Sequence, residues 1–145
     1  RICRAVAVEA EDIVQAFRSP DVAVQPTTEF GNFWSSGAHL TFRAQGPATF
    51  QATLPTYPSD AGNYNVDWWY TAGPDYGRCE LWFNGEKACE WDGFNEGGTA
   101  RKKVEKVTPI TVKPTGNVLE LRIVGKNSAS TGFNAGLDCY RVLPR

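Results

Sequence analysis

Several groups of side chains in this sequence are of types that do chemistry. Glu9 and Glu11 stand two apart at the end of an apolar run, so on a strand both carboxylates leave the same face. Hard oxygen donors placed in this way suit calcium, which takes six to eight oxygens. On the residues alone they are solvated carboxylates at a strand end. Asp67 and Glu80 are one of many carboxylate pairs that could be drawn for glycoside hydrolysis, which needs two such groups flanking a cleft. None sits in a recognised catalytic frame, and neither a Gly-x-Ser-x-Gly nucleophile motif nor a Ser–His–Asp frame occurs. The cysteines are Cys3, Cys79, Cys89 and Cys139, with no Cys-x-x-Cys pair, and His39 is the only histidine, so a structural zinc site is not expected. Cys79 and Cys89 flank a hairpin and are geometrically able to pair or to stay reduced. Cys139 lies in an apolar strand and reads as a buried thiol. His39 reads as a satisfied, partly buried imidazole.

Aromatic rings and polar groups together suggest a different chemistry. Sugars present apolar C–H faces, which rings cover, and a rim of hydroxyls, which carboxylates, amides and guanidinium groups bind. Two places fit. Trp69 and Trp82 point outward on alternating strands beside Asp67, Glu80 and Arg122, and exposed indoles on one sheet face mark an interaction surface. The competing readings are that another element covers them, or that the register is off by one, which flips every side chain. Trp34, Trp91, Phe94, Phe133 and Asn134 lie in or beside loops that converge at one edge of a sandwich, unless Trp34 and Phe133 plug the end of the core.

The elements that position these residues are strands. Helical periodicity is weak and confined to Glu11–Phe17. Elsewhere short alternating runs are broken by Gly, Pro, Asn and Asp, the pattern of an all-β sandwich of eight or nine antiparallel strands. Expected strands cover Ala5–Ala10, His39–Arg43, Ala48–Leu54, Tyr64–Tyr70, Cys79–Phe83, Lys87–Trp91, Thr108–Val112, Val118–Val124 and Ala135–Leu143. Along 64–70, Tyr64, Val66, Trp68 and Tyr70 face the core, and Asn65, Asp67 and Trp69 face out. Cys79, Leu81 and Phe83 point in, with Arg78, Glu80 and Trp82 out. Leu119, Leu121 and Ile123 point in, with Glu120 and Arg122 out. Asn84-Gly85 is a strong hairpin turn because both residues tolerate positive φ. Tyr57–Gly62 is turn chemistry, and Asp92–Lys103 reads as a long polar loop.

The 145 residues suit one domain, here residues 1–145. A net charge of −1 argues against a surface spread out for nucleic acid. The basic run Arg101-Lys102-Lys103, offset by Glu96 and Glu105, reads as a solvated loop. No 18-residue apolar run is present, so no membrane-spanning segment is expected. Methionine is absent, which suits a mature fragment or an excised module.

Several segments resemble a known group. Val8-Glu9-Ala10-Glu11-Asp12 resembles the start of carbohydrate-binding modules of families 6 and 35. Ala61-Gly62-Asn63-Tyr64-Asn65-Val66, Ala72-Gly73-Pro74-Asp75-Tyr76-Gly77 and Phe83-Asn84-Gly85 are similar to jelly-roll domains appended to bacterial glycoside hydrolases. The most specific match is Val124–Phe133 (VGKNSASTGF) followed by Gly136-Leu137-Asp138-Cys139. The resemblance implies a galactose-binding-like jelly roll that binds polysaccharide without catalysis and is linked to a carbohydrate-active enzyme. It implies a structural calcium held by Glu9, Glu11 and Asp138, completed by carbonyls of the 30–36 loop. It favours the loop edge for the sugar, with aromatic residues and Asn134 close before the last strand. A secreted or cell-surface, monomeric bacterial protein goes with it. Two other classes stay open: a docking sandwich packed on a parent enzyme, and a small polysaccharide lyase or hydrolase.

Overall fold

The computed structural model describes residues 7–9, 13–31, 34, 37–54 and 61–144. Eleven strands, β1 (Ala7–Glu9), β2 (Val22–Pro26), β3 (Ala38–Phe42), β4 (Ala48–Leu54), β5 (Gly62–Ala72), β6 (Arg78–Phe83), β7 (Glu86–Asp92), β8 (Ala100–Lys103), β9 (Ile110–Val112), β10 (Asn117–Gly125) and β11 (Ala135–Pro144), form two sheets. The larger has the order β2-β3-β11-β5-β8, with β1 beside β11 and β9 beside β5; the smaller has the order β4-β10-β6-β7. Every strand pair is antiparallel, as in a jelly roll. The only α-helical turn among the described residues is α1 (Val14–Phe17), which seats Phe17 edge-on against Phe42 at 5.1 Å.

The alternation read from the sequence is the alternation of the core. Val66, Trp68 and Tyr70 of β5 meet Cys79, Leu81 and Phe83 of β6 and Leu119, Leu121 and Ile123 of β10 between the sheets. Burial of each such side chain removes apolar surface from water and contributes about 1.5–3 kcal/mol. Asn84 and Gly85 make the β6–β7 turn with φ of 50° and 82°. Asn84 also ties that turn to β10. Its Oδ1 accepts from Val118 N at 2.8 Å, and its Nδ2 donates to the buried Asn117 Oδ1 at 2.9 Å.

Three expectations change, and the open question of Cys79 and Cys89 is settled. The strands number eleven among the described residues, because two short edge strands join those expected: β2, and β8, whose composition reads as loop. Arg101-Lys102-Lys103 is therefore no solvated loop: it forms most of β8 on β5, and the Arg101 side chain is only 5% exposed. Cys79 and Cys89 are free and buried, since the register sets Cys79 opposite Trp91 and Cys89 opposite Leu81. Burial raises both thiol pKa values, that of Cys89 to about 12, so they stay protonated and inert. Cys139 is disulfide-bonded, not a free thiol. The 57–60 part of the expected Tyr57–Gly62 turn lies outside the described residues.

Candidate functional site

At the loop edge, three connections are tied together by backbone hydrogen bonds. Gly77 N donates to Asn134 O at 2.8 Å, Gly93 N to Gly77 O at 2.9 Å and Gly73 N to Gly93 O at 2.9 Å. Gly93 is required there, because a Cβ would sit 2.6 Å from Gly77 O. Ser130 Oγ donates to Tyr76 O at 2.8 Å, which fixes the 127–133 loop to the same frame.

This frame holds Asn134 by both ends of its amide. Nδ2 donates to Asp75 Oδ2 at 3.2 Å, and Oδ1 accepts from Ala44 N at 3.4 Å. Asn134 and Asp75 border a cleft of about 730 Å³ that also takes in Asp21, Gln25, Arg43 and Tyr76. A cleft of this size lies in the usual range for small-ligand sites. Arg43 and Asp21 stand exposed at the rim, and Arg43 N donates to Asp21 O at 2.9 Å, joining β3 to the turn before β2. Burial and the Asp75 charge push the Tyr76 phenol far above its ordinary value, so it stays neutral. The cleft thus offers two carboxylates, a guanidinium and the amides of Asn134, Gln25 and Gln45, a set matched to hydroxyl groups.

The indoles expected at this edge are elsewhere. Trp34 is 4% exposed and lies over the outer side of the larger sheet, where Nε1 donates to Thr71 Oγ1 at 2.8 Å. Trp91 is 8% exposed and stacks in the core on Tyr70 at 4.9 Å. Asn134 alone of the three lines the cleft. Asp21 escapes a reading of the sequence because it precedes β2, a strand not expected there, and Arg43 because nothing marks the end of the expected strand His39–Arg43 for a role. Asp75 is visible as part of the Gly-Pro-Asp-Tyr-Gly loop, but nothing in that loop's composition marks it for a role.

Trp69 and Trp82 do point away from the core, but on different sheets, so they share no face. Trp69 on β5 is 6% exposed, covered by Arg101, Lys103 and Arg141 at 5.1, 5.6 and 5.7 Å from its ring. Asp67 beside it is taken by Arg141 and by Lys103 at 3.5 Å. Trp82 on β6 is half-buried, with Arg122 over its ring at 3.8 Å and its Nε1 donating to Glu80 Oε1 at 2.9 Å. That bond, with Lys87 at 3.2 Å, holds the Glu80 carboxyl below its usual range. Asp67 and Glu80, on opposite outer faces, cannot flank one glycosidic bond.

His39 is the satisfied buried imidazole expected. Nδ1 lies 2.7 Å from Thr71 Oγ1 and Nε2 lies 2.7 Å from Gln25 Oε1. Since Trp34 donates to Thr71, a single direction satisfies the chain: Trp34 N–H to Thr71, Thr71 O–H to His39 Nδ1, His39 Nε2–H to Gln25. It crosses β11 above Gly136, where a Cβ would come within 2.7 Å of His39 Nδ1. Burial lowers the imidazole pKa to about 4.

Of the residues expected to hold calcium, Asp138 is fully buried at an irregularity of β11 and accepts from Arg101 Nε. Glu9 is opposite Cys139 across the β1–β11 pair, one residue from Asp138 along the chain. Glu11 and residues 32, 33, 35 and 36 of the loop lie outside the described residues. Among the described residues no cluster of three or more His, Cys, Asp or Glu forms a metal site.

No family model and no curated protein sequence matches the chain. Solved structures do. The chain superimposes on a family 35 carbohydrate-binding module from Paenibacillus barcinonensis with a TM-score of 0.57 at 14% identity, covering 97% of this chain and 100% of that one. This is a jelly roll like those of family 6 and 35 carbohydrate-binding modules. The C-terminal family 6 module of a marine laminarinase from Zobellia galactanivorans matches with a TM-score of 0.54 at 16% identity, over 95% of this chain and 99% of that one. A Paenibacillus xanthan lyase matches with a TM-score of 0.69 at 20% identity, over 86% of this chain; the match spans 12% of the lyase chain. At these identities the likeness establishes the fold, and a fold hosts many functions.

Proposed function

We propose that this jelly roll is a non-catalytic carbohydrate-binding module that directs a linked carbohydrate-active enzyme to polysaccharide outside the cell. The observation that carries the reading is the loop-edge cleft, in which Asn134, held rigid by Asp75 and Ala44 N, stands with Arg43 and Asp21. Preorganised polar groups bind hydroxyls without an ordering cost at the moment of binding. The outer face of the smaller sheet is the second reading, carried by Trp82, Glu80 and Arg122. It is the weaker one, because Arg122 already covers one face of the Trp82 ring and Glu80 already takes its N–H. A docking surface has less support still: the exposed large apolar residues Val24, Phe30, Val124 and Leu143 sit on separate elements. Among the described residues no helix is long and apolar enough to cross a membrane.

A polysaccharide screen on the domain tests this reading. Binding to one polysaccharide class that Asn134→Ala weakens about tenfold or more, the size of one lost hydrogen bond to a polar site, supports it. Retained binding in Asn134→Ala with loss in Trp82→Ala moves the site to the sheet face. No binding across the panel leaves the docking reading.

The proposal includes a structural calcium held by Glu9, Glu11 and Asp138. It rests on the β1–β11 register and on the chemistry of three carboxylates, whose mutual repulsion a divalent cation relieves. Arg101 supplies part of the countercharge to Asp138. Bound there, the ion would fasten the first strand to the last. Chelation with EDTA is expected to lower the melting temperature; an unchanged melt removes calcium from the account.

A further inference from the structure

A second cavity, of about 750 Å³, opens on the opposite margin of the sandwich, where the edge strands β7 and β8 part. Its floor is the stacked pair Tyr70 and Trp91, and its walls carry Lys87, Lys102, Lys103 and Lys106. Lys102 is the cross-strand neighbour of Tyr70 and so leaves β8 on the side that faces the gap between the sheets. Lys87 is engaged by Glu80 and Glu90 at 3.2 and 3.3 Å, and Lys103 by Asp67 at 3.5 Å. Lys102 and Lys106 make no ion pair among the described residues. Of the acidic groups in the wall, Glu90 faces Lys87, Asp92 is drawn off to Arg78 at 3.7 Å and Asn127 at 2.9 Å, and the exposed Glu105 makes no ion pair among the described residues. The slot therefore has two uncommitted ammonium groups against one uncommitted carboxylate, in a chain whose net charge is −1.

The segment 104–108 closes one end. Val104 N donates to Trp68 O at 3.0 Å, and Thr108 N to Ala88 O at 2.8 Å. The second bond occupies a carbonyl that a strand added to the β7 edge would need, so continuous pairing with a peptide is blocked there. What remains is a slot with strand-edge polar groups for hydroxyls and lysines for anionic substituents. The geometry points to a second ligand site at this margin, separate from the Asn134 cleft, that takes an anionic oligosaccharide by its carboxylate or sulfate groups on Lys102 and Lys106. Lysine, a point charge on a flexible stem, serves either substituent.

The site does not depend on the loop-edge reading, and the test keeps the two apart. The intact domain, Lys102→Glu/Lys106→Glu and Asn134→Ala are titrated with trigalacturonic acid, a sulfated galactose trisaccharide, neutral galactotriose and polyglutamate at low and high salt, with melting temperature as the control for folding. Binding of one or both anionic trisaccharides is expected, weakened by salt and reduced roughly tenfold in the double charge reversal, as two lost surface ion pairs of up to about 1 kcal/mol each would give. Asn134→Ala should leave that binding unchanged. Whether the carboxylated or the sulfated sugar binds tells which substituent the slot takes. Loss of anionic binding in Asn134→Ala, unchanged binding in the double reversal, or binding of polyglutamate alone would overturn the proposal. Loss of galactotriose binding in Asn134→Ala bears only on the loop-edge cleft.

Discussion

The outer faces of the two sheets carry one tryptophan each, and the two have different fates. Trp69 is roofed by three cations and lies beside the disulfide-bonded Cys139, the buried Asp138–Arg101 pair and the Trp34–Thr71–His39–Gln25 chain. The outer face of the larger sheet is thus a second buried layer. Trp82 has a single Arg122 on its ring, among half-exposed Glu80 and Glu120 and exposed Lys87. Alternation along a strand fixes which way a side chain points. What covers it depends on residues far away in sequence.

This contrast predicts a graded set of losses. Trp69→Ala should cost about 3–5 kcal/mol, the cost of removing a buried indole. Trp82→Ala should cost about 1 kcal/mol or less, the worth of an exposed cation–π contact. Urea denaturation of the two variants measures both, and equal losses would erase the distinction.

Acid sharpens the same contrast, because the buried layer holds an imidazole that must stay neutral. The His39 pKa is lowered to about 4 from 6.5, so as pH falls below 6.5 the unfolded chain takes up the proton first. Stability is full above that point and falls by about 3 kcal/mol between pH 6.5 and 4, then levels with respect to this group. His39→Gln should flatten that slope while weakening the fold at neutral pH. A slope that survives the substitution would assign the acid sensitivity to other groups. On the smaller sheet, where Trp82 and Glu80 meet water, no such step is expected from Trp82→Ala.

The same contrast explains what is legible in the sequence. β6 and β10 are readable because each has one face in the core and alternates accordingly, and β5 through its core face, although Trp69 and Thr71 on its other face are also buried. β8 is not, since Ala-Arg-Lys-Lys has the composition of a loop; its long apolar stems cover Trp69 while their charges meet Asp67 and Asp138. The resemblance to family 6 modules points to Asn134 at the loop edge, and the residue lines the cleft there. Trp34 and Trp91 are not, because loop proximity in sequence does not say which side of a sandwich a ring will enter. The cleft itself, assembled from Asp21, Arg43, Asp75 and Asn134, draws on four separate connections and has no linear signature.

The most direct test of the central claim is to map a bound saccharide by amide chemical-shift perturbation on the labelled domain, using the polysaccharide class found in the screen as a short oligomer. The account predicts shifts clustered at Asp21, Arg43, Asp75, Tyr76 and Asn134. Shifts clustered instead at Glu80, Trp82 and Arg122, or no site-specific shifts at saturating oligomer, would contradict it.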